Sequence, residues 1–369
     1  MAAALAAGVL LASRLFLATR EFPRVPVLDG WPLLPAPLDA IALGALFVAL
    51  CGVAFAPGPR WWATAATALA LVLALEDQSR WQPWFYQYVA MLAALAVARD
   101  PGDTLAAWRV VLVGLYLWSG IQKLNATFMT RLFPWLVEPL VSALPAGLQE
   151  SLLAGWIVVP MTEIAVVVGL LVPRLRNAAV VAAVATHVVV LGLLGPLAHG
   201  TNAVIWPWNA AMAALAVVLF WNARDASARD TLVPHRISAH AALLALFVAL
   251  PALSFAGRWD AYLSGELYSG NLKVGALSVT DAVAARLPDA ARRHVMSNRA
   301  GANALDLYEW SMGELSVPSY PEERVFRAVA RDVCRLADNP GDVVLVVFGR
   351  PGVLTGQREI TRNDCAALR

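Results

Sequence analysis

Charge is what this chain has least of. Of its 369 residues only 15% are Asp, Glu, Lys or Arg, whereas 59% are hydrophobic and the mean hydropathy is +0.62. An average soluble domain carries roughly 25% charged residues, so a fold solvated only by water is excluded and lipid is the expected solvent. The net charge of +2 is too small to make a nucleic acid a partner. Cysteine is scarce too: three residues with no CxxC pair exclude a cysteine zinc cluster and a thioredoxin-like redox motif. No metal site is expected. No basic residue precedes the apolar run of "MAAALAAGVLLASRLFLATREF", and Arg14 interrupts it late. That pattern favours a retained first helix over a cleaved signal peptide.

What the chain has instead is apolar runs near the length that crosses a bilayer, about 17–22 residues. They fall near 2–18, 38–56, 61–75, 84–98, 105–122, 151–172, 177–195, 203–221 and 237–255. The third and fourth are short, so the count is eight or nine. Between the fifth and sixth, "TFMTRLFPWLVEPLVSALPAGL" carries Pro134, Pro139 and Pro145 and reads as an interfacial or re-entrant segment. The short loops divide into one set with Arg60, Arg99, Arg109, Arg174, Arg176, Arg224, Arg229 and Arg236, and another with Arg20, Arg24, Arg80, Lys123 and Arg131. The richer set marks the cytoplasmic side. With nine spans the N-terminus is then cytoplasmic and everything after residue 256 lies outside, in an integral membrane protein of bacterial inner-membrane type.

After residue 256 charges become frequent and apolar runs shorten. "YPEERVFRAVARDVCRLA" places Val325, Phe326, Val329, Val333 and Leu336 at helical spacing, with acids first and bases later. "GDVVLVVFG" reads as a buried strand after a turn. The expected architecture is an all-α polytopic membrane domain (1–255) followed by a small extracytoplasmic α/β domain (256–369) that packs on the outer helix ends. Cys334 and Cys365 both fall in the outer part, where thiols tend to pair, and are predicted to form a disulfide; Cys51 lies inside a span.

Ionisable groups inside membrane helices are costly and usually face the bundle interior. Glu163 lies mid-span after Pro160, and a carboxylate there must be neutral, hydrogen-bonded or paired with a cation. His187 is also mid-span, either as a site residue or as a core histidine bonded to a neighbouring helix. On the outer side polar and aromatic groups thicken. "LEDQSRWQPWFYQY" supplies Asp77, Gln78, Arg80, Trp81, Trp84, Tyr86 and Tyr88; "HGTNAVIWPWNAAM" adds Asn202, Trp206, Trp208 and Asn209. An aromatic belt at the lipid–water interface accounts for several of the tryptophans. A layered pocket for a flat amphipathic ligand such as a quinone accounts for the amides and acids as well. Lys123, ending its helix on that side, reads as a snorkelling side chain or as a base in a pocket. Tyr116, Ser119 and Gly120 share its helical face.

"SGIQKLNATF" resembles the segment of vitamin K-dependent gamma-carboxylases that carries their catalytic lysine, and Lys123 falls on that lysine. "EDQSRWQPWFYQY" is similar to that family's loop between two spans, with Asp77, Trp81, Tyr86 and Tyr88 on matching residues. The helix around His187 is a third match. The likeness covers roughly residues 1–260 and is that of the wider carboxylase-like (HTTM) transmembrane domain, which itself resembles DoxX/MauE membrane proteins; "SGIQKL" and the Glu163 helix fit that group too. Two departures set limits. Trp84 stands where the carboxylases have a functional histidine, and residues 256–369 replace their large β-rich domain. The resemblance therefore implies a carboxylase-like membrane protein with an outward-facing quinone or lipid pocket, rather than a protein gamma-carboxylase. Lys123 is the candidate base, with Glu163 and His187 beside it. Asp77, Trp81, Trp84, Tyr86, Tyr88, Trp206 and Asn209 would hold a quinone or hydroquinone. The alternative is a non-catalytic DoxX-like subunit that stabilises or assembles a larger redox or secretion complex with membrane partner subunits, Lys123 and Glu163 serving as structural glue.

Overall fold

The computed structural model describes all residues except 29, 99, 224–226, 234–238, 298–302 and 369. Arg99, Arg224 and Arg236 of the loop count above lie outside the described residues. Among the described residues five helices are long and apolar enough to cross a membrane: Leu38–Phe55, Pro101–Gln122, Ala146–Leu171, Arg176–Leu194 and Ala239–Ala256. Four shorter apolar helices accompany them: Ala2–Leu11, Pro59–Leu75, Pro83–Val97 and Ile205–Phe220.

Local chemistry sets several boundaries. Pro59, Pro83 and Pro101 each occupy a first helical turn, where the missing N–H is no loss. The Asp100 side chain accepts from the Asp103 N–H and caps the fifth apolar run. The first run, expected over 2–18, stops earlier, at Leu11, and a four-residue turn, Ser13–Phe16, follows. Its last carbonyls are taken by a buried cation: the Arg80 guanidinium donates to Leu15 O at 3.0 Å and Phe16 O at 3.2 Å. The proline-broken stretch forms a π turn, Phe128–Leu132, and a short helix, Phe133–Val141, with Pro139 inside it. Phe128, Phe133, Val137 and Val141 make a small core of their own.

The C-terminal part holds a five-stranded antiparallel sheet in the order β2-β3-β1-β4-β5, from β1 (Val274–Val279), β2 (Val295–Ser297), β3 (Asn303–Asp306), β4 (Val343–Phe348) and β5 (Ile360–Asp364). Val343, Leu345 and Val347 of β4 point inward in strict alternation. The helix Glu323–Cys334 buries Val325, Phe326, Val329 and Val333. Cys334 and Cys365 form a disulfide across 31 residues of chain, while Cys51 is a free, exposed thiol.

This sheet and the helices share one hydrophobic core: Phe22 packs on Trp310 with ring centroids 4.8 Å apart. Polar contacts fasten the same junction. Glu314 accepts from the Phe22 N–H (2.9 Å) and the Trp310 indole (2.9 Å). Arg324 Nε donates to Gln78 Oε1 (2.6 Å), Asn125 Nδ2 to Ser269 O (2.8 Å) and Asn202 Nδ2 to the Tyr268 hydroxyl (3.1 Å). The loops holding Phe22, Gln78, Asn125 and Asn202 thus all sit at the helix ends facing the sheet. At the opposite end Arg109 Nε donates to Leu219 O (3.0 Å) and Asn177 to Asn222 (2.7 Å).

Candidate functional site

A cavity opens between the helices that carry Lys123, Glu163, His187 and Asn209, all of which line it. It measures about 140 Å³ inside and about 970 Å³ with the open space of its mouth. Most of its wall is apolar, from residues such as Leu115, Val159, Val190 and Met212. Two polar groups interrupt that wall.

The first is an ion pair. Lys123 Nζ lies 3.0 Å from Glu163 Oε2 and 3.1 Å from Oε1, and donates to the Ser119 hydroxyl at 2.5 Å and the Ser119 carbonyl at 3.1 Å. Ser119 Oγ in turn donates to Glu163 Oε1 at 3.2 Å. Gly120 makes the contact possible: a Cβ there would stand 2.9 Å from Pro160 O and 3.2 Å from Glu163 Cβ. The helix Pro101–Gln122 needs that missing side chain to bring its lysine against the Glu163 helix. Both charged side chains are almost fully buried, so each depends on the other. Lys123 is held as a partner of the Glu163 carboxylate on the wall of the cavity.

The second group is a chain of three. Asn209 Nδ2 donates to Ile205 O one turn back (2.8 Å), which turns Oδ1 towards His187 Nδ1, 2.8 Å away. An amide oxygen can only accept, so Nδ1 carries a proton. The Tyr116 hydroxyl lies 2.7 Å from Nε2, within hydrogen-bond distance. The imidazole is thereby held from both sides. This arrangement holds a hydroxyl and an imidazole edge on the wall of an apolar space, and can orient a ligand carbonyl or hydroxyl there.

Other expected residues lie elsewhere. Asp77 forms a buried ion pair with Arg20 (2.5 Å) and accepts from the Val25 and Ser79 N–H groups. Arg80 pairs with Glu76 at 2.9 Å. Trp81 donates to Ala74 O (2.9 Å) and contacts Tyr86, whose ring stacks on Phe247 at 4.7 Å. Trp84 covers Gly8. Tyr88 is fully buried in the helix core. Trp206 donates to Leu194 O (3.0 Å), while its neighbour Trp208 is the one that lines the cavity, held by Gln87 Oε1 at 2.6 Å. Of the residues expected to hold the ligand, Asn209 alone lines this cavity with Lys123, Glu163 and His187.

The cavity also has a wall that the apolar runs do not supply. Gly265, Leu267 and Tyr268 come from the segment after the last membrane helix and close its outer side. Between them Glu266 turns away and pairs with Arg350 at 2.6 Å. Burial pushes its carboxyl up to about 7, against the opposing pull of the Arg350 guanidinium. The positive φ of Tyr268, +56°, is a backbone feature with no sequence signal. Among the described residues no group of three or more His, Cys, Asp or Glu side chains is placed to hold a metal ion. Set beside family models, curated proteins and solved structures, the chain matches none of them.

Proposed function

We propose that this is a carboxylase-like membrane protein of nine crossings that binds a quinone-like or lipid-like amphiphile in the cavity between its helices. The cavity wall carries the reading: a mostly apolar space with the Tyr116–His187–Asn209 chain on one side suits a ring or chain with one polar end. A bound quinone supplies carbonyl oxygens as acceptors and, when reduced, hydroxyls as donors. His187 and Tyr116 would hold and orient that end, Trp208 and Met212 would flank the apolar body, and Leu267 and Tyr268 would exclude water. Protein carboxylation is not proposed, since Lys123 is engaged by Glu163 and Trp84 is packed on Gly8.

The cavity mouth faces the extracytoplasmic side on this reading, with the N-terminus cytoplasmic and residues 256–369 outside. A disulfide in that part supports an oxidising compartment. Two arginines of the outer loops are paired, Arg20 with Asp77 and Arg80 with Glu76.

Purification in mild detergent followed by mass spectrometry of the extract tests the site. A quinone or neutral lipid near one per chain is expected, lost in His187→Leu and Asn209→Leu. Equal retention in both variants would remove the cavity from the account. The Lys123–Glu163 pair favours a second reading, a non-catalytic subunit in a larger membrane complex with the pair as helix glue. A protein partner that co-purifies in fixed ratio, with no small molecule, would select it.

A further inference from the structure

Beyond Leu267 and Tyr268 lies a second cavity, of about 530 Å³, and the same two residues line it from the outside. It sits between the Phe128–Leu132 turn, the 267–274 segment and the loop leading into β5. Its cations are distinctive. Lys273 is satisfied by Glu322 at 2.6 Å. Arg358 is not: its guanidinium donates to three backbone carbonyls, Leu272 O (2.6 Å), Gly349 O (2.8 Å) and Gly270 O (3.4 Å), which fix its orientation without neutralising it. Among the described residues no carboxylate reaches ion-pair distance of Arg358 or of Arg131, which lines the same cavity. The two feel each other: burial lowers the Arg358 pKa and the Arg131 charge lowers it further. Gly270, with φ +77°, allows this juxtaposition, because a Cβ there would meet Phe128 N at 2.9 Å. Among the described residues Glu309 is the one acid on the lining, which carries three bases, Arg131, Lys273 and Arg358.

Two guanidinium groups on one cavity, one fixed by backbone carbonyls and the other on its exposed rim, repel, and the fold gains nothing from the arrangement by itself. An anion between them would remove the repulsion, and guanidinium forks suit phosphate and carboxylate oxygens. Much of the remaining lining is apolar or aromatic, including Leu132, Trp135, Tyr262 and Pro318, with the hydroxyls of Thr127, Thr201 and Ser319 among it; such a wall suits an ion that carries an apolar part better than a fully hydrated one. The location favours a lipid source: the cavity lies at the helix ends that face the sheet, where the nine-crossing reading would put phospholipid headgroups. We infer that Arg131 and Arg358 bind the phosphate head of an anionic membrane amphiphile, whose apolar part passes the Leu267–Tyr268 partition into the inner cavity. The second half of this statement rests on the inner cavity's proposed role; the headgroup site does not.

The test uses the full chain in non-ionic detergent, loaded with phosphatidylglycerol or with phosphatidylcholine of the same acyl chains, and reads retained lipid by native mass spectrometry. Phosphatidylglycerol is expected to be held about tenfold better, an advantage that shrinks with added salt. Arg131→Gln and Arg358→Gln should each reduce it to the phosphatidylcholine level. Arg131 is exposed, and among the described residues its side chain has no hydrogen-bond partner, so its variant remains readable even if Arg358→Gln misfolds. Equal retention of the two lipids, or an unchanged Arg131→Gln, overturns the site. Displacement of the lipid by equimolar inorganic phosphate would make it a soluble-anion site and overturn the lipid assignment. A neutral short-chain quinone serves as the separate probe of the inner cavity. Its binding should survive Arg131→Gln and fail in His187→Leu, so the two claims stand or fall apart from each other.

Discussion

Lys123 and Glu163 enter the membrane region as two charges, each costly alone. Their pairing predicts an asymmetry between single and double substitution. Lys123→Met strands a buried carboxylate and should destabilise by about 3–5 kcal/mol, whereas Lys123→Met with Glu163→Met should recover most of the loss. Thermal unfolding in detergent reads both, and additive losses would contradict the pair. Glu266 gives a pH signature of opposite sign to that of an ordinary salt-bridged acid. Below its usual value of 4.5 it is protonated whether the chain is folded or not. Between there and about 7 the folded chain keeps a proton that the unfolded chain releases. Stability therefore falls as pH rises through this window and levels off above it. Glu266→Gln should flatten that part of the curve of melting temperature against pH; an unchanged slope would assign it to other groups. Lys123, Glu163 and His187 were legible because an ionisable side chain in an apolar run has so few harmless explanations. The roles of Asp77, Trp81, Trp84, Tyr86 and Tyr88 were not legible. Composition marks a polar aromatic loop, but not whether its side chains face a cavity or neighbouring backbone.

Helices and strands follow their sequence signals most closely where those signals are periodic. The helix Glu323–Cys334 and strand β4 lie where the 3.6- and two-residue patterns put them. The first run does not: its helix stops at Leu11, and the turn Ser13–Phe16 that follows gives its last carbonyls to Arg80, more than sixty residues away. The proline-broken segment could be identified as irregular, but the small core it builds depends on partners from the Ala146–Leu171 helix, including Leu152, Leu153 and Trp156. The disulfide joins the end of the Glu323–Cys334 helix to the residue after β5, and so anchors an edge strand whose residues are largely exposed. Its reduction should cost about 2–4 kcal/mol. Melting with and without a reductant measures this, and a melting point that does not move would leave the bond without a stabilising part.

At the scale of the whole molecule, the sheet and the helices are one body in their packing. Glu314, Arg324 and Ser269 are bound to residues that precede the last membrane helix, and Trp310 completes a core begun by Phe22. Orientation can be read with a single introduced thiol. Leu354 is 90% exposed, and Leu354→Cys in a Cys51→Ser background should react with an impermeant reagent in intact cells. Labelling only after lysis would invert the topology. The short first helix has a further consequence, in the bilayer itself. Ten residues rise only about 15 Å, against a hydrocarbon layer of about 30 Å, and Leu10 and Leu11 near its end are exposed. Lipid beside this face meets a hydrophobic belt thinner than the one the 26-residue Ala146–Leu171 helix presents. On the nine-crossing reading the bilayer is expected to thin along this flank and not along the other.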